Sequence, residues 1–283
     1  MKWRGRKQSQ NIEDRRRGGG AARTGGMGIV GIIAVMAIGY FFNIDVSSFI
    51  GSGGGAISST QSGELSAEEK GAGEFVSVVL SDTEVIWSDI FAKQLGKQYR
   101  PATLVLFSQA TQSPCGSASG ATGPFYCPAD RKAYLDTAFF HTMQKKFGAT
   151  GDFAAAYVVA HEIAHHVQNE LGVLGKANQA RSRMDKTDSN RVSVMIELQA
   201  DCFSGVWARA AETKLGTVDE GDLREAINAA KQIGDDTMQR NAGRRPMPHT
   251  FTHGSSEQRM RWFATGYQTG DINQCDTFSA QNL

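Results

Sequence analysis

Cysteine is scarce in this sequence: four residues in 283, with no C-x-x-C pair among them. A dithiol redox motif or a paired-cysteine metal knuckle is therefore not expected. Internal repeats are absent. Beyond the first 26 residues no basic patch is interleaved with aromatics, so the folded part is not expected to bind nucleic acid. Long apolar runs are missing except one, MGIVGIIAVMAIGYFF (Met27 to Phe42), set within 21 uncharged residues from Thr24 to Ile44. No A-x-A cleavage signal follows it, which argues against a removed secretory leader.

That run is short against the roughly 20 residues that cross a bilayer, and its uncharged flanks make up the length. The first 26 residues carry eight Lys or Arg against two acids, which predicts a cytoplasmic N-terminus. The expected organisation is a basic cytoplasmic tail over 1–26, a transmembrane anchor over 27–44, a flexible Gly/Ser-rich tether over 45–66 and one folded domain over 67–283. The bilayer is then the partner of the anchor, and the domain faces the periplasm from a bacterial inner membrane. An even number of cysteines suits such an oxidising compartment. Of the three connectivities open to four cysteines, we expect Cys115–Cys127, closing the hairpin CGSASGATGPFYC, and Cys202–Cys275, tying the C-terminal segment to a helix. The alternative is four buried thiols in a cytosolic protein.

Histidine is sparse too, six in all, yet three fall within the stretch VVAHEIAHHVQ, residues 158 to 168. On a helix, residues four apart share a face, so His161 and His165 aim two imidazoles at one spot. Glu162 lies about 100° round from His161, beside a metal rather than bound to it, where it can take a proton from an activated water. The opposite face is apolar: Phe153, Ala156, Ala160, Ile163 and Val167. His166 points away and reads as a residue that faces solvent, packs or supports a ligand from behind, not as a ligand itself. A catalytic zinc needs a third protein ligand. Position 171 is Leu, which excludes the class with a third histidine ten residues after the first.

The third ligand is expected in VSVMIELQADCFSGVWARA, residues 192 to 210. Glu197 and Asp201 stand four apart beside the apolar stripe Ile196, Ala200, Phe203 and Trp207. No basic residue lies between Arg191 and Arg209. Two carboxylates without a lysine, on a helix expected to be buried, call for a cation. Glu197 would ligate zinc, and Asp201 would accept a hydrogen bond from the far nitrogen of a ligand histidine. Gly205 and Ala208 keep that face small enough for a second helix to approach.

Four stretches together carry a resemblance: PCGSASGATGPFYCPADRKAYLDTAFF, YVVAHEIAHHVQ, ELQADCFSGVW and THGSSEQRMRWF. From about residue 65 to 275 the sequence resembles the neutral zinc metallopeptidases of bacteria, a family expected to be membrane-anchored. The resemblance implies a zincin-like fold, one zinc ion per chain held by His161, His165 and Glu197, and Glu162 as catalytic base. His253 and Arg259 are similar in spacing to a histidine and arginine that follow the zinc helices in membrane-associated zinc endopeptidases. That similarity implies that His253 stabilises an oxyanion while Arg259 positions it or an acidic neighbour. The alternative is a capping turn at Ser255 or Ser256, with Arg259 in a structural ion pair.

The expected fold class is α+β, mainly helical with a small sheet, preceded by one transmembrane helix. GEFVSVVLSDTEVIWSDIFAKQL reads as a helix, ATLVLF and RKAYLDTAF as strands. One of these strands is expected to form the sheet edge over the metal that pairs with substrate backbone. Residues 153–171 form the first zinc helix, KANQARSRMDKTDSN a polar connection, and TVDE from Thr217 a capping box for a helix EGDLREAINAAKQIGDD. SSEQRMRWFATGY gives a short last helix. The expected function is hydrolysis of a peptide or protein substrate by zinc-activated water with Glu162 as base. Its rivals are an envelope binding or scaffolding module with a non-catalytic zinc, and a zinc amidase acting on the cell wall.

Overall fold

The computed structural model describes residues 1–16, 64–119 and 123–283. Its regular elements are, in chain order, β1 (Ile12–Asp14), α1 (Ala67–Leu95), β2 (Thr103–Phe107), β3 (Ala110–Ser113), β4 (Gly116–Ser119), β5 (Phe125–Cys127) and β6 (Lys132–Asp136). Then follow α2 (Ala138–Phe147), α3 (Asp152–Glu170), α4 (Val173–Arg181), α5 (Lys186–Ala210), α6 (Asp222–Gln232), α7 (Asp235–Asn241) and α8 (Ser256–Thr269). The expected mixed class, mainly helical with a small sheet, is what is observed. The anchor expected over 27–44 lies outside the described residues. Among those that are described, no helix is long and apolar enough to cross a membrane.

The helices follow their apolar spacing. In α1, Phe75, Val78, Val79, Ile86, Ile90 and Phe91 are all buried, between a capping box at Ser66 and Glu69 and a left-handed Gly96. The apolar back of α3 and the stripe of α5 meet in the same core, where Phe153 stacks on Trp207 at 5.7 Å. α8 crosses α5 at two glycines. A Cβ on Gly266 would lie 1.8 Å from the Cys202 carbonyl oxygen, and one on Gly205 would lie 2.0 Å from that of Phe263. The small face of α5 was expected to admit a neighbouring helix; at Gly205 that helix is α8.

Other expectations are corrected. KANQARSRMDKTDSN is not a plain connection, because α4 reaches Arg181 and α5 already starts at Lys186. Thr217 is no cap: its hydroxyl donates to the Ala211 carbonyl, and α6 begins at Asp222 after Gly221. The single helix expected to Asp236 breaks at Gly234, where the Ser256 backbone comes so close that a Cβ would sit 2.4 Å from its nitrogen. Ser255 does cap α8, in a reciprocal box with Gln258.

The main sheet has the order β1-β2-β6-β5. β1 and β6 run parallel to β2, and β5 runs antiparallel to β6. The two strands expected from sequence, β2 and β6, are thus interior, and neither has a free edge. Among the described residues the edges are β1 and β5. The Cys115–Cys127 bridge forms as expected, but the hairpin is β3–β4, with Cys115 in its turn, and the bridge ties that turn to β5. Cys202–Cys275 is the second bridge.

The N-terminal segment was expected as a tail apart from the domain. Residues 1–16 instead pack onto it. β1 pairs Ile12 with Leu104 and Asp14 with Leu106. Arg6 meets the buried Asp82, Ser9 and Asn11 both donate to Glu84, and Lys132 bonds Glu13 at 2.6 Å. The Arg16 guanidinium donates to the backbone carbonyl of Glu69. Among the described cations of this segment, Lys2, Arg6, Arg15 and Arg16 form ion pairs with Asp219, Asp82, Glu13 and Asp14.

Candidate metal centre

α3 and α5 lie side by side and present His161, His165 and Glu197 to one another. The ligand atoms of these three side chains all fall within 4.8 Å of each other. His161 Nε2 is 3.1 Å from Glu197 Oε2, and His165 Nε2 is 3.5 Å from Glu197 Oε1. The two rings stand edge to face, 4.8 Å between centroids. Each imidazole is held from behind by its other nitrogen: His161 Nδ1 by Asp201 at 3.0 Å, His165 Nδ1 by Gln168 Oε1 at 2.8 Å. An oxygen acceptor at Nδ1 puts a proton there, so Nε2 is the nitrogen that can offer a lone pair to a metal once its proton is given up. Two Nε2 atoms and a carboxylate, with no lysine or arginine among the described residues bonded to Glu197, form a donor set of the kind that binds zinc.

Asp201 is fully buried and takes four hydrogen bonds. Besides His161, it accepts from the Tyr157 hydroxyl and from Arg259, whose Nε is 2.8 Å from Oδ2 and whose Nη2 is 3.0 Å from Oδ1. Burial pushes the Asp201 carboxyl up, but the Arg259 charge and the His161 bond outweigh it and hold it below the usual range. The fork of Arg259 fits a carboxylate at two points. Arg259 is itself buried, and its remaining bonds go to the Tyr157 hydroxyl and the Ile233 carbonyl. An ion pair with an acidic neighbour is what both expected readings of Arg259 allow.

Charge within the cluster is strongly coupled. Burial opposes the His161 imidazolium, yet hydrogen bonds to Asp201 and Glu197 raise its pKa to about 10. Burial likewise opposes ionised Glu197, but the charge of His165 and the bonds from both histidines hold it well below the ordinary carboxylate range. Glu162 is half-buried beside the two histidines; its side chain makes no hydrogen bond to another described residue, and burial pushes its carboxyl up. It is a carboxyl left unengaged next to the candidate metal-binding side chains.

His253 lies at the rim, with about half of its side chain exposed. Its Nδ1 is 3.2 Å from Asp235 Oδ1, while Asp235 Oδ2 accepts the backbone N–H groups of Thr252, His253 and Gly254. Burial of the ring lowers its pKa, but the bond to Asp235 and the charge of Glu197 raise it overall. Asp235 and Tyr157 had not been singled out from the sequence. Tyr157 stands one helical turn before His161, a spacing that could have flagged it; Asp235 reaches the site only through the loop before α8. His166 is a packing residue: its Nε2 meets the Arg100 carbonyl at 2.7 Å and its Nδ1 meets the Tyr126 hydroxyl at 3.0 Å, which links α3 to β5. A second acidic group, Asp152, Asp222 and Glu225, surrounds the Met1 α-ammonium, which bonds Asp152 at 3.0 Å and Asp222 at 3.2 Å.

Comparison with known proteins agrees with this geometry. The family described as "Putative neutral zinc metallopeptidase" matches residues 1–278. The uncharacterized protein YpfJ of Escherichia coli strain K12 is 42% identical over 288 residues, covering 98% of this chain and 99% of that protein. The uncharacterized protein Rv2575 of Mycobacterium tuberculosis strain H37Rv is 44% identical over 213 residues, 72% of this chain and 69% of its own length. No solved structure matches the chain.

Proposed function

The chain belongs to the neutral zinc metallopeptidase family, and on that premise we propose that it is a zinc-dependent peptidase with a zincin-like site of the HExxH…E type. The observation that carries this reading is the convergence of both Nε2 atoms on Glu197, each ring held from behind at Nδ1, with the Glu162 side chain unengaged beside them. His161, His165 and Glu197 would hold one zinc ion, which supplies the Lewis acidity that activates water and polarises a carbonyl. Glu162 takes the proton of the attacking water and returns it to the leaving amine. Asp201, braced by Arg259 and Tyr157, keeps His161 in the ligating tautomer. His253, held by Asp235, donates toward the oxyanion that develops on the scissile carbonyl.

The substrate is a peptide or protein. β5 has no strand on its outer side among the described residues, and it is joined to α3 through Tyr126, which meets both His166 and Asn169. It is the edge we assign to an extended substrate backbone. The domain is proposed to work on the outer side of a bacterial inner membrane, with lipid contact through 27–44. Two disulfides support an oxidising compartment.

Glu162→Gln tests the mechanism, because it preserves shape and removes the base. The expected outcome is unchanged zinc content and a loss of roughly 10²–10⁴-fold in kcat, read as cleavage of a mixed peptide library by mass spectrometry. Full activity would refute the peptidase mechanism. A folded, zinc-loaded wild type that cuts nothing would instead favour the binding module.

A further inference from the structure

The two histidines of the cluster are braced by chemically different groups. His161 rests on a carboxylate, but His165 rests on a neutral amide, and that amide is the end of a chain. Gln168 is fully buried. Its Nε2 donates to the Ile196 carbonyl at 2.8 Å and to Gln199 Oε1 at 3.1 Å. Gln199 Nε2 donates in turn to the Cys275 carbonyl at 3.0 Å.

A backbone carbonyl only accepts, so the chain has one direction. The Cys275 carbonyl draws the Gln199 nitrogen toward itself and turns the Gln199 oxygen toward Gln168. That oxygen and the Ile196 carbonyl together draw in the Gln168 nitrogen, which turns the Gln168 oxygen toward His165. An oxygen at that point requires a proton on His165 Nδ1, and this makes Nε2, which faces Glu197, the nitrogen that can take a metal.

We propose that Gln168 and Gln199 form a relay that sets the tautomer of His165 for metal binding, with the Cys202–Cys275 disulfide as its fixed end. Gln168 is a positioning residue for the ligand, and Gln199 orients Gln168. The cross-link gives both histidines one frame of reference. Cys275 ends the relay behind His165, and its partner Cys202 directly follows Asp201, the brace of His161. Ile196, which completes the fixing of Gln168, directly precedes Glu197. All three ligands are thus positioned from one stretch of α5, residues 196 to 202. This inference rests on the metal reading above.

The test uses the full-length chain with Gln168→Leu and Gln199→Leu, each nearly isosteric and unable to pass on the hydrogen bond. Zinc affinity is measured by chelator competition, and the His165 tautomer is read from imidazole nitrogen NMR shifts in the metal-free protein. The expected result for Gln168→Leu is roughly 10–100-fold weaker zinc binding and a mixed tautomer, with a smaller loss in Gln199→Leu. A side chain that merely fills space would leave the tautomer unmoved. A folded Gln168→Leu variant with wild-type zinc affinity and the Nδ1–H tautomer overturns the relay. If that variant does not fold, Gln199→Leu, one step further from the metal, decides by the same two readouts. A wild type that binds no zinc removes the metal reading and the relay with it; zinc binding by the wild type and both variants alike removes the relay alone.

Discussion

At the scale of single residues, the charged groups around the cluster come in oriented pairs: His161 with Asp201, Asp201 with Arg259, His253 with Asp235. The last pair has a pH signature. Asp235 and the field of Glu197 raise the His253 pKa against the effect of burial, so His253 keeps its proton to higher pH than a free imidazole. Stabilisation that depends on this charge is present below the ordinary imidazole range and is lost as pH rises through the raised value. Asp235→Asn removes the main support of the charge. The alkaline limb of kcat/KM is expected to move to lower pH in this variant, with the acid limb little changed. A limb that stays in place would assign it to another group.

The clustering of His161, His165 and Glu197 was legible because a four-residue interval is a statement about a helix face, and both helices formed as their apolar stripes require. Gln168 was legible in principle, three residues from His165. Asp235 was not, because nothing local ties it to residue 253. It is brought there by a break at Gly234 and by three consecutive amides that need one acceptor.

At the scale of elements, the crossing of α5 and α8 governs the site. Gly205 and Gly266 let the two backbones approach, and Arg259 on α8 can then reach Asp201 on α5. Gly266→Ala would force the helices apart at Cys202, next to Asp201. The expected cost is roughly 1–3 kcal/mol, seen as a lower melting temperature, together with weaker zinc binding as Arg259 withdraws. A variant as stable as wild type with unaltered zinc affinity would show that the crossing tolerates a methyl group. Apolar spacing located most of the helices and both central strands from sequence. It gave no sign of which helix would meet Gly205. It also missed α4, which is only nine residues long and buries only Leu174 and Ala177. Nor does a short strand record whether it lies inside a sheet or at its edge; that depends on what pairs with it, and for β2 the partner came from a segment whose cations suggested a different role.

At the scale of the whole molecule, residues 1–16 behave as part of the domain. Their removal would bare the ladder groups of β2 along one side and leave the Asp82 carboxylate buried without Arg6. Stripping one partner from a buried ion pair costs roughly 3–5 kcal/mol. In a domain of this size that corresponds to a fall of about 10 °C in melting temperature. Deletion of residues 2–16 is expected to lower the transition by that order, with zinc content retained if the protein is held at low temperature. An unshifted transition would make the docked segment incidental to stability.

The contact between Arg16 and the Glu69 carbonyl also brings residues 53 apart in sequence to one address, where β1 ends and α1 begins. The first turn of α1 therefore carries a latch whose hold depends on β1 staying zipped to β2.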